Sequence, residues 1–204
     1  MSVHEYLDIS VATCTILGLS AYSQSRQHFS PMLKGENHDD YDERTWRNKL
    51  HTGVDDNGKP SIMVPAHGMQ QAIAAAAKYS KRKIPGEGKS TWTQKFLSGI
   101  AILGDIPLGI HPDKADRVII SANADGVRGS GKRVARRFPQ VLNWGANFEV
   151  QILDPAITQD VFQEMVVIAG MFIGIGRFRP EKGGTNGRFK LADFTWLDNR
   201  SEIE

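Results

Sequence analysis

Residues 146–153 read as a strand in which apolar and polar side chains alternate from 146 to 152. Ala146, Phe148, Val150 and Ile152 fall on one side, and Asn147, Glu149 and Gln151 on the other. Successive side chains of a strand point to opposite faces, so this run predicts a half-buried strand with one face on a core. Asp154-Pro155 or Thr158 then opens a helix to about Phe172, with Val161, Met165, Ile168 and Phe172 as its buried stripe. A glycine-rich loop follows, and a last strand is expected near residues 188–196. A strand, a helix laid back on it and a returning strand form one half of a layered α+β domain.

The N-terminal part reads as a second half of the same kind. Residues 6–17 predict a strand in which Leu7, Ile9 and Val11 alternate with Asp8 and Ser10. The phase then slips to Ala12, Cys14 and Ile16, as a bulge would cause. From about 20 to 60 the chain is polar and turn-rich, with Lys34-Gly35-Glu36-Asn37 and Asp55-Asp56-Asn57-Gly58. This stretch reads as an insertion holding at most a short helix at about 41–50. Pro65 precedes a helix over 66–80, where Met69, Ile73 and Ala76 share a stripe and the alanine run favours helix. The apolar runs 96–103 and 118–121 read as strands, 125–131 as a flexible turn, and Lys132 to Phe138 as a lead into Pro139. The order predicts an α+β, ferredoxin-like (RRM-like) antiparallel sheet with two helices and a long insertion after the first strand. One domain is expected over 1–204, with the insertion at about 20–60 and basic loops at about 81–95 and 126–137.

Several function classes are absent from the pattern. The single cysteine, Cys14, allows no intramolecular disulfide and no cysteine-based zinc site. The apolar stretch 161–175 is broken by Gln163 and Glu164 and is too short to span a bilayer, and the N-terminus lacks a signal-peptide pattern, so a cytoplasmic protein is expected. There is no Walker, dinucleotide or Gly-x-Ser-x-Gly motif. The six histidines show no metal-ligand spacing, and His67 on the first helix reads better as a structural histidine than as a general acid/base. The carboxylates of Asp39, Asp40, Asp42 and Glu43 are of a type that binds Mg²⁺, but they lack a spaced partner and read as an acidic solvated loop. No catalytic residue, metal or cofactor is expected.

The net charge of +2 is small, but the charge is unevenly spread. Acidic residues crowd the insertion, whereas basic residues gather in three later segments. The first offers Lys81, Arg82, Lys83, Lys89 and Lys95, with Trp92 either a stacking platform or a buried anchor. The second offers Arg128, Lys132, Arg133, Arg136 and Arg137, five cations with no acid between Gly126 and Phe148. The third sets Arg177, Arg179, Lys182 and Arg188 among Gly174, Gly176, Gly183, Gly184 and Gly187. Glycines admit positive φ and close backbone approach, and arginine forks match phosphate. Phe178 and Phe189 either stack on bases or pack inside. Trp46, Trp144 and Trp196 read as core or interface residues. Segments of this kind suit a polyanion, because each cation near a phosphate releases counterions.

The Gly174-Ile175-Gly176 step, the basic residues after it and the closing Gly187-Arg188-Phe189, placed after a second helix, resemble the signature loop of RAMP proteins. That superfamily includes the Cas5, Cas6 and Cas7 proteins of CRISPR systems. The stretch from Arg137-Phe138-Pro139 through 170–174 to Phe189 also resembles small Cas7-like proteins of phage and prophage genomes. The resemblance covers the C-terminal third and, more loosely, the helix 66–80 with its basic loop. It implies an RRM-like core, a nucleic-acid strand crossing the sheet and the loop arginines, and assembly into homo-oligomers or filaments, with other CRISPR-type subunits as further partners. The chain is shorter than most Cas7 subunits, so their thumb and accessory domains are reduced or differently placed. The expected function is sequence-independent binding of single-stranded RNA or DNA as a backbone or coating subunit, with no membrane contact. The alternatives are a RAMP-type endoribonuclease using a loop carboxylate or His67, and a phage Cas7-mimic that interferes with effector assembly.

Overall fold

In the computed structural model, residues 9–123, 131 and 133–198 are described. The chain begins with β1 (Ser10–Gly18), whose Ser10, Ala12, Cys14 and Ile16 side chains are fully buried in strict alternation. After β2 (Tyr22–Ser23) an extended arm leads to α1 (His38–Thr45) and one 3₁₀ turn over Trp46–Lys49. Asn37 caps α1, its Oδ1 accepting from the Asp39 and Asp40 amides at 2.9 Å. β3 (Thr52–Val54) and β4 (Pro60–Val64) form a hairpin around Gly58 at φ 75°. α2 (Ala66–Ser80), α3 (Thr93–Ser98), β5 (Ile100–Ala101), β6 (Ile106–Pro107), β7 (Asp116–Asn123), β8 (Arg133–Val141) and β9 (Gly145–Ile152) follow. α4 (Gln159–Ile168) then widens into a π turn over Ala169–Ile173, and β10 (Phe189–Leu197) returns to the sheet.

The main sheet has the order β10-β1-β9-β5, with every neighbouring pair antiparallel. Taken with α2 after β1 and α4 after β9, this is the βαββαβ arrangement of the ferredoxin-like fold that the sequence predicts. Both helices lie on one face. Met69, Ile73 and Ala76 of α2 and Val161, Phe162 and Met165 of α4 are buried against the alternating set of β1 and β9. The small Ala12 and Cys14 leave room beneath them, and burial pushes the Cys14 thiol up to about 12, so it is an inert core group. The helices need a further concession where α4 meets β10. A Cβ on Gly170 would overlap the Phe189 carbonyl oxygen and lie 2.8 Å from its ring, so only glycine fits there.

The remaining strands form two small sheets, β2-β8-β7 and β3-β4-β6. The structure corrects several local expectations. The insertion holds a β-hairpin and part of two sheets as well as α1. The phase slip expected at Ala12 is absent. The bulge lies instead at Ala192 of β10, where Thr15 pairs with Asp193 and Ile16 with Leu191. The run 96–103 is not one strand. Phe96 belongs to α3, and Gly99, whose added Cβ would touch Asp154 at 2.6 Å, ends that helix before the two-residue β5. Residues 133–141 form a strand that includes Pro139. The proline is tolerated where β2 ends, because β2 pairs only with Gln140 and Val141 while the Pro139 carbonyl accepts from Ser23 Oγ at 2.9 Å. Phe172 leaves the buried stripe of α4. The π turn rotates it outward, where it stacks on Tyr79 with ring centroids 5.2 Å apart. No helix among the described residues is long and apolar enough to cross a membrane.

Candidate nucleic-acid interface

The glycine-rich loop is tied to the edge of the second sheet. The Arg177 amide donates to the Ser23 carbonyl at 2.7 Å, the Gly187 amide to Ala21 at 2.8 Å, and the Ile175 amide to Gly187 at 3.0 Å. The glycines make that close approach possible. An added Cβ would lie 2.6 Å from Pro180 at Gly174 and 2.5 Å from the Ser23 oxygen at Gly176, and would overlap backbone at Gly184 and Gly187. Gly174, Gly176, Gly183 and Gly187 all have positive φ, but only Gly183 faces open space. The loop glycines therefore serve the folding of the loop onto itself and onto β2, and a ligand is not what they approach.

What this scaffold carries is Arg177. Its guanidinium lies 3.6 Å over the Phe138 ring of β8, and among the described residues no carboxylate pairs with it. Burial pulls its pKa below the ordinary value, since charge is disfavoured away from water, yet an arginine stays protonated. A half-buried cation that no carboxylate pairs among the described residues can take an external anion, although Glu181 lines the same cavity as Arg177. Arg177 opens on a cavity of about 500 Å³ walled by Tyr22, Gln24, His51, the first turn of α2 with His67, Gln71 and the residues 173–177. At the α2 N-terminus the Ala66 amide donates to Asp105 Oδ1 at 2.9 Å, so a carboxylate already answers that helix end. His51 is held neutral below its ordinary value by burial and by the nearby Arg26. Gln24 is spent on structure. Its Nε2 donates to Tyr22 Oη and the Met63 carbonyl, and its Oε1 accepts from the His51 amide at 2.7 Å.

The other expected contacts are distributed differently. Arg179 also lines the cavity, but Glu181 holds its guanidinium at 2.8 Å and sits 3.7 Å from Lys182. Arg188 donates to the Met171 carbonyl in the middle of the π turn. Arg82 pairs with Glu164, and Lys95 lies 3.4 Å from Asp154 and 3.8 Å from Glu87. Lys81, at φ 52° after α2, and Lys83 and Lys89 are exposed in the loop beyond it. Trp92 is buried against Phe96 and is no stacking platform. Trp46 and Trp144 are buried, and Trp196 packs against the core.

The β7–β8 hairpin has two faces of different character. Arg128 and Lys132 lie outside the described residues. Arg137 faces α1, where it meets Asp39 and Glu43 at 2.6 Å each, and Arg117 meets Glu43 as well. Asp42, 2% exposed, accepts from Lys49 Nζ and the Arg137 amide at 2.5 Å each. The acidic run is thus not a solvated loop. It is the counter-charge of this hairpin face, and among the described residues no cluster could hold a metal ion. Arg133 is bound to Ser121 through its hydroxyl and carbonyl. On the opposite face of the hairpin Phe138 pairs with Val118 and Arg136 with Ile120, which leaves Arg136 on the Phe138 side that Arg177 covers.

The open face of the main sheet differs from the expected RRM-like track. Thr13, Thr15, Asn147, Glu149, Gln151, Lys190, Asp193 and Thr195 occupy it, with Val11, Leu17 and Leu197. Two carboxylates against one lysine, and no aromatic ring, suit neither phosphates nor base stacking. The cation and ring groups instead meet at the end of the sheet, around Phe138, Arg177 and the cavity. Sequence reasoning missed Phe138 as the partner of Arg177, and His51, Tyr22 and Gln71 as cavity walls. In the sequence Phe138 figures only within the Arg137-Phe138-Pro139 stretch of the family resemblance.

No protein-family model matches the sequence, and no curated protein sequence matches it. Among solved structures, the chain is similar to one in the Type III-B Cmr-beta complex bound to cognate target RNA, at 9% identity and TM-score 0.48, over 94% of this chain and 62% of that one. It is also similar to Cmr6 from Pyrococcus furiosus, at 12% identity and TM-score 0.46, over 91% and 99%. A chain of a CRISPR RNA-guided surveillance complex matches at 10% identity and TM-score 0.36, over 79% and 58%. The chain thus spans less than two thirds of the first and third of these. Likenesses this distant carry no inference about what this chain binds.

Proposed function

We propose that the chain binds single-stranded nucleic acid without sequence preference, through the cavity and the Phe138 side of the β7–β8 hairpin, and does so without cleaving it. The observation that carries this reading is Arg177: a half-buried cation, stacked on an aromatic ring, unpaired by any carboxylate among the described residues and facing a cavity. A phosphate supplies the missing charge, and a flexible single strand reaches a recessed arginine that a stiff duplex does not. In this reading the protein is a coating or backbone subunit, like the RAMP proteins its loop resembles, with further copies or other CRISPR-type subunits as neighbours along the strand.

The test is a fluorescence-anisotropy titration with labelled single-stranded RNA, single-stranded DNA and duplex, beside Arg177→Ala. A charge-assisted contact is worth about 1.5–3 kcal/mol, so the variant binds roughly tenfold or more weakly. Single strands are expected to bind well ahead of duplex and to be recovered intact. Absence of binding to all three at low salt overturns the proposal, and shortened RNA after incubation overturns its non-catalytic part.

A further inference from the structure

One residue of the glycine-rich loop is held in a conformation its side chain disfavours. Phe178 has φ 58°, a left-handed backbone that a bulky residue rarely adopts. The loop leaves it no alternative. The amides of Arg177 before it and Gly187 beyond it are bonded to the β2 segment, the Asn186 amide donates to the Phe178 carbonyl at 3.0 Å, and Gly184 packs directly beneath that carbonyl. The other large apolar residues of the segment, Ile173, Ile175 and Phe189, are buried. Phe178 is turned out, at 55% exposed, as is Phe172 just before the loop at 50%. Here a strained backbone is used to bring an apolar ring into water, so folding gains nothing from it. Strain that the surroundings enforce marks a functional position. Its neighbour in the chain is Arg177, the cation that no carboxylate pairs among the described residues.

Building on the nucleic-acid reading above, we propose that Phe178 is the base-stacking platform of this site, receiving one base of the strand while Arg177 holds an adjacent phosphate. An exposed ring one residue along the chain from an arginine suits a nucleotide, which presents a flat π face next to a phosphate, and every base has such a face. This explains how the site holds a strand firmly without reading its sequence. It also separates two parts of the binding energy: the arginine contribution is salt-sensitive, while the stacking contribution needs bases.

The experiment compares a short single strand with the same sugar–phosphate backbone lacking its bases, in RNA or DNA, whichever the protein binds more tightly. Wild type is expected to prefer the base-bearing strand by roughly tenfold, the worth of one stacked base. Phe178→Asn, in which asparagine tolerates the left-handed backbone, is expected to bind both strands alike while its thermal unfolding is unchanged or raised. Phe178→Trp is expected to keep the preference. If Phe178→Asn discriminates as wild type does, the stacking role is wrong while the binding reading stands. If that variant discriminates as wild type does but self-associates less by light scattering, the ring is a protein contact and the stacking role is equally overturned. If wild type binds neither strand, both readings fail together.

Discussion

The β7–β8 hairpin is fastened to the rest of the protein by charge, and Asp42 is the group whose loss tests this. Its carboxylate is 2% exposed and receives Lys49 Nζ on one oxygen and the Arg137 amide on the other, each at 2.5 Å. In Asp42→Ala the Arg137 amide loses its partner in a site closed to water, at a cost of about 1–3 kcal/mol. Lys49 keeps the Arg137 carbonyl at 2.6 Å and the Phe138 ring at 4.6 Å, which soften the loss of its carboxylate without replacing it. Removing one partner of a buried pair costs about 3–5 kcal/mol in all, and that is the expected loss here. It reads as a fall of about 1–2 M in the urea midpoint at unchanged slope. Adding Lys49→Met to Asp42→Ala recovers part of the loss, because the stranded charge is gone. A single-variant loss below about 1 kcal/mol, or a fully additive double variant, refutes the claim that α1 clamps the hairpin through this pair.

Three further outcomes follow from particular contacts. Gly183→Ala meets only the left-handed φ of 77°, so it costs about 1–2 kcal/mol, whereas Gly187→Ala adds overlap with Ile175 backbone and costs about 4 kcal/mol or more; paired urea titrations check the contrast. His51 is held neutral in the folded protein, its pKa pulled below the ordinary 6.5, so the unfolded chain binds more protons there and stability falls as pH drops through about 6.5. His51→Gln flattens urea midpoints measured between about pH 7 and 5, while Glu36 and Asp39, held below the usual carboxylate range by Arg44 and Arg137, act only in more acid solution. Arg82→Ala and Glu164→Ala break an exposed pair and change stability by less than about 1 kcal/mol in thermal melts.

What the sequence disclosed depended on whether the interaction was local. The stripe of Met69, Ile73 and Ala76 marks α2 over 66–80, and the alternation at 146–152 marks β9, because one period and one buried face decide each. The run at 96–103 misleads because Gly99 divides six helical residues from a strand two residues long, and neither piece has room to show a period. The strand at 133–141 hides behind Pro139 and its arginines. Its partners are Asp39, Asp42 and Glu43, nearly a hundred residues away, and complementary charge at that separation leaves no local pattern. The candidate site divides in the same way. Arg177 and its glycines are visible in the composition, whereas His51 and Tyr22 reach the cavity from the insertion, and Phe138 earns its place only through the Arg177 guanidinium above it.

The most direct test of the account is the salt dependence of single-strand binding in wild type, Arg177→Ala and Lys95→Ala. Arg177 faces the cavity unpaired by a carboxylate among the described residues, while Lys95 is held by Asp154 and Glu87. The account predicts that Arg177→Ala weakens binding and lowers the slope of log affinity against log salt by about one, with Lys95→Ala matching wild type. Equal slopes for wild type and Arg177→Ala, or an equal loss in Lys95→Ala, would contradict it and place the phosphate contacts elsewhere on the molecule.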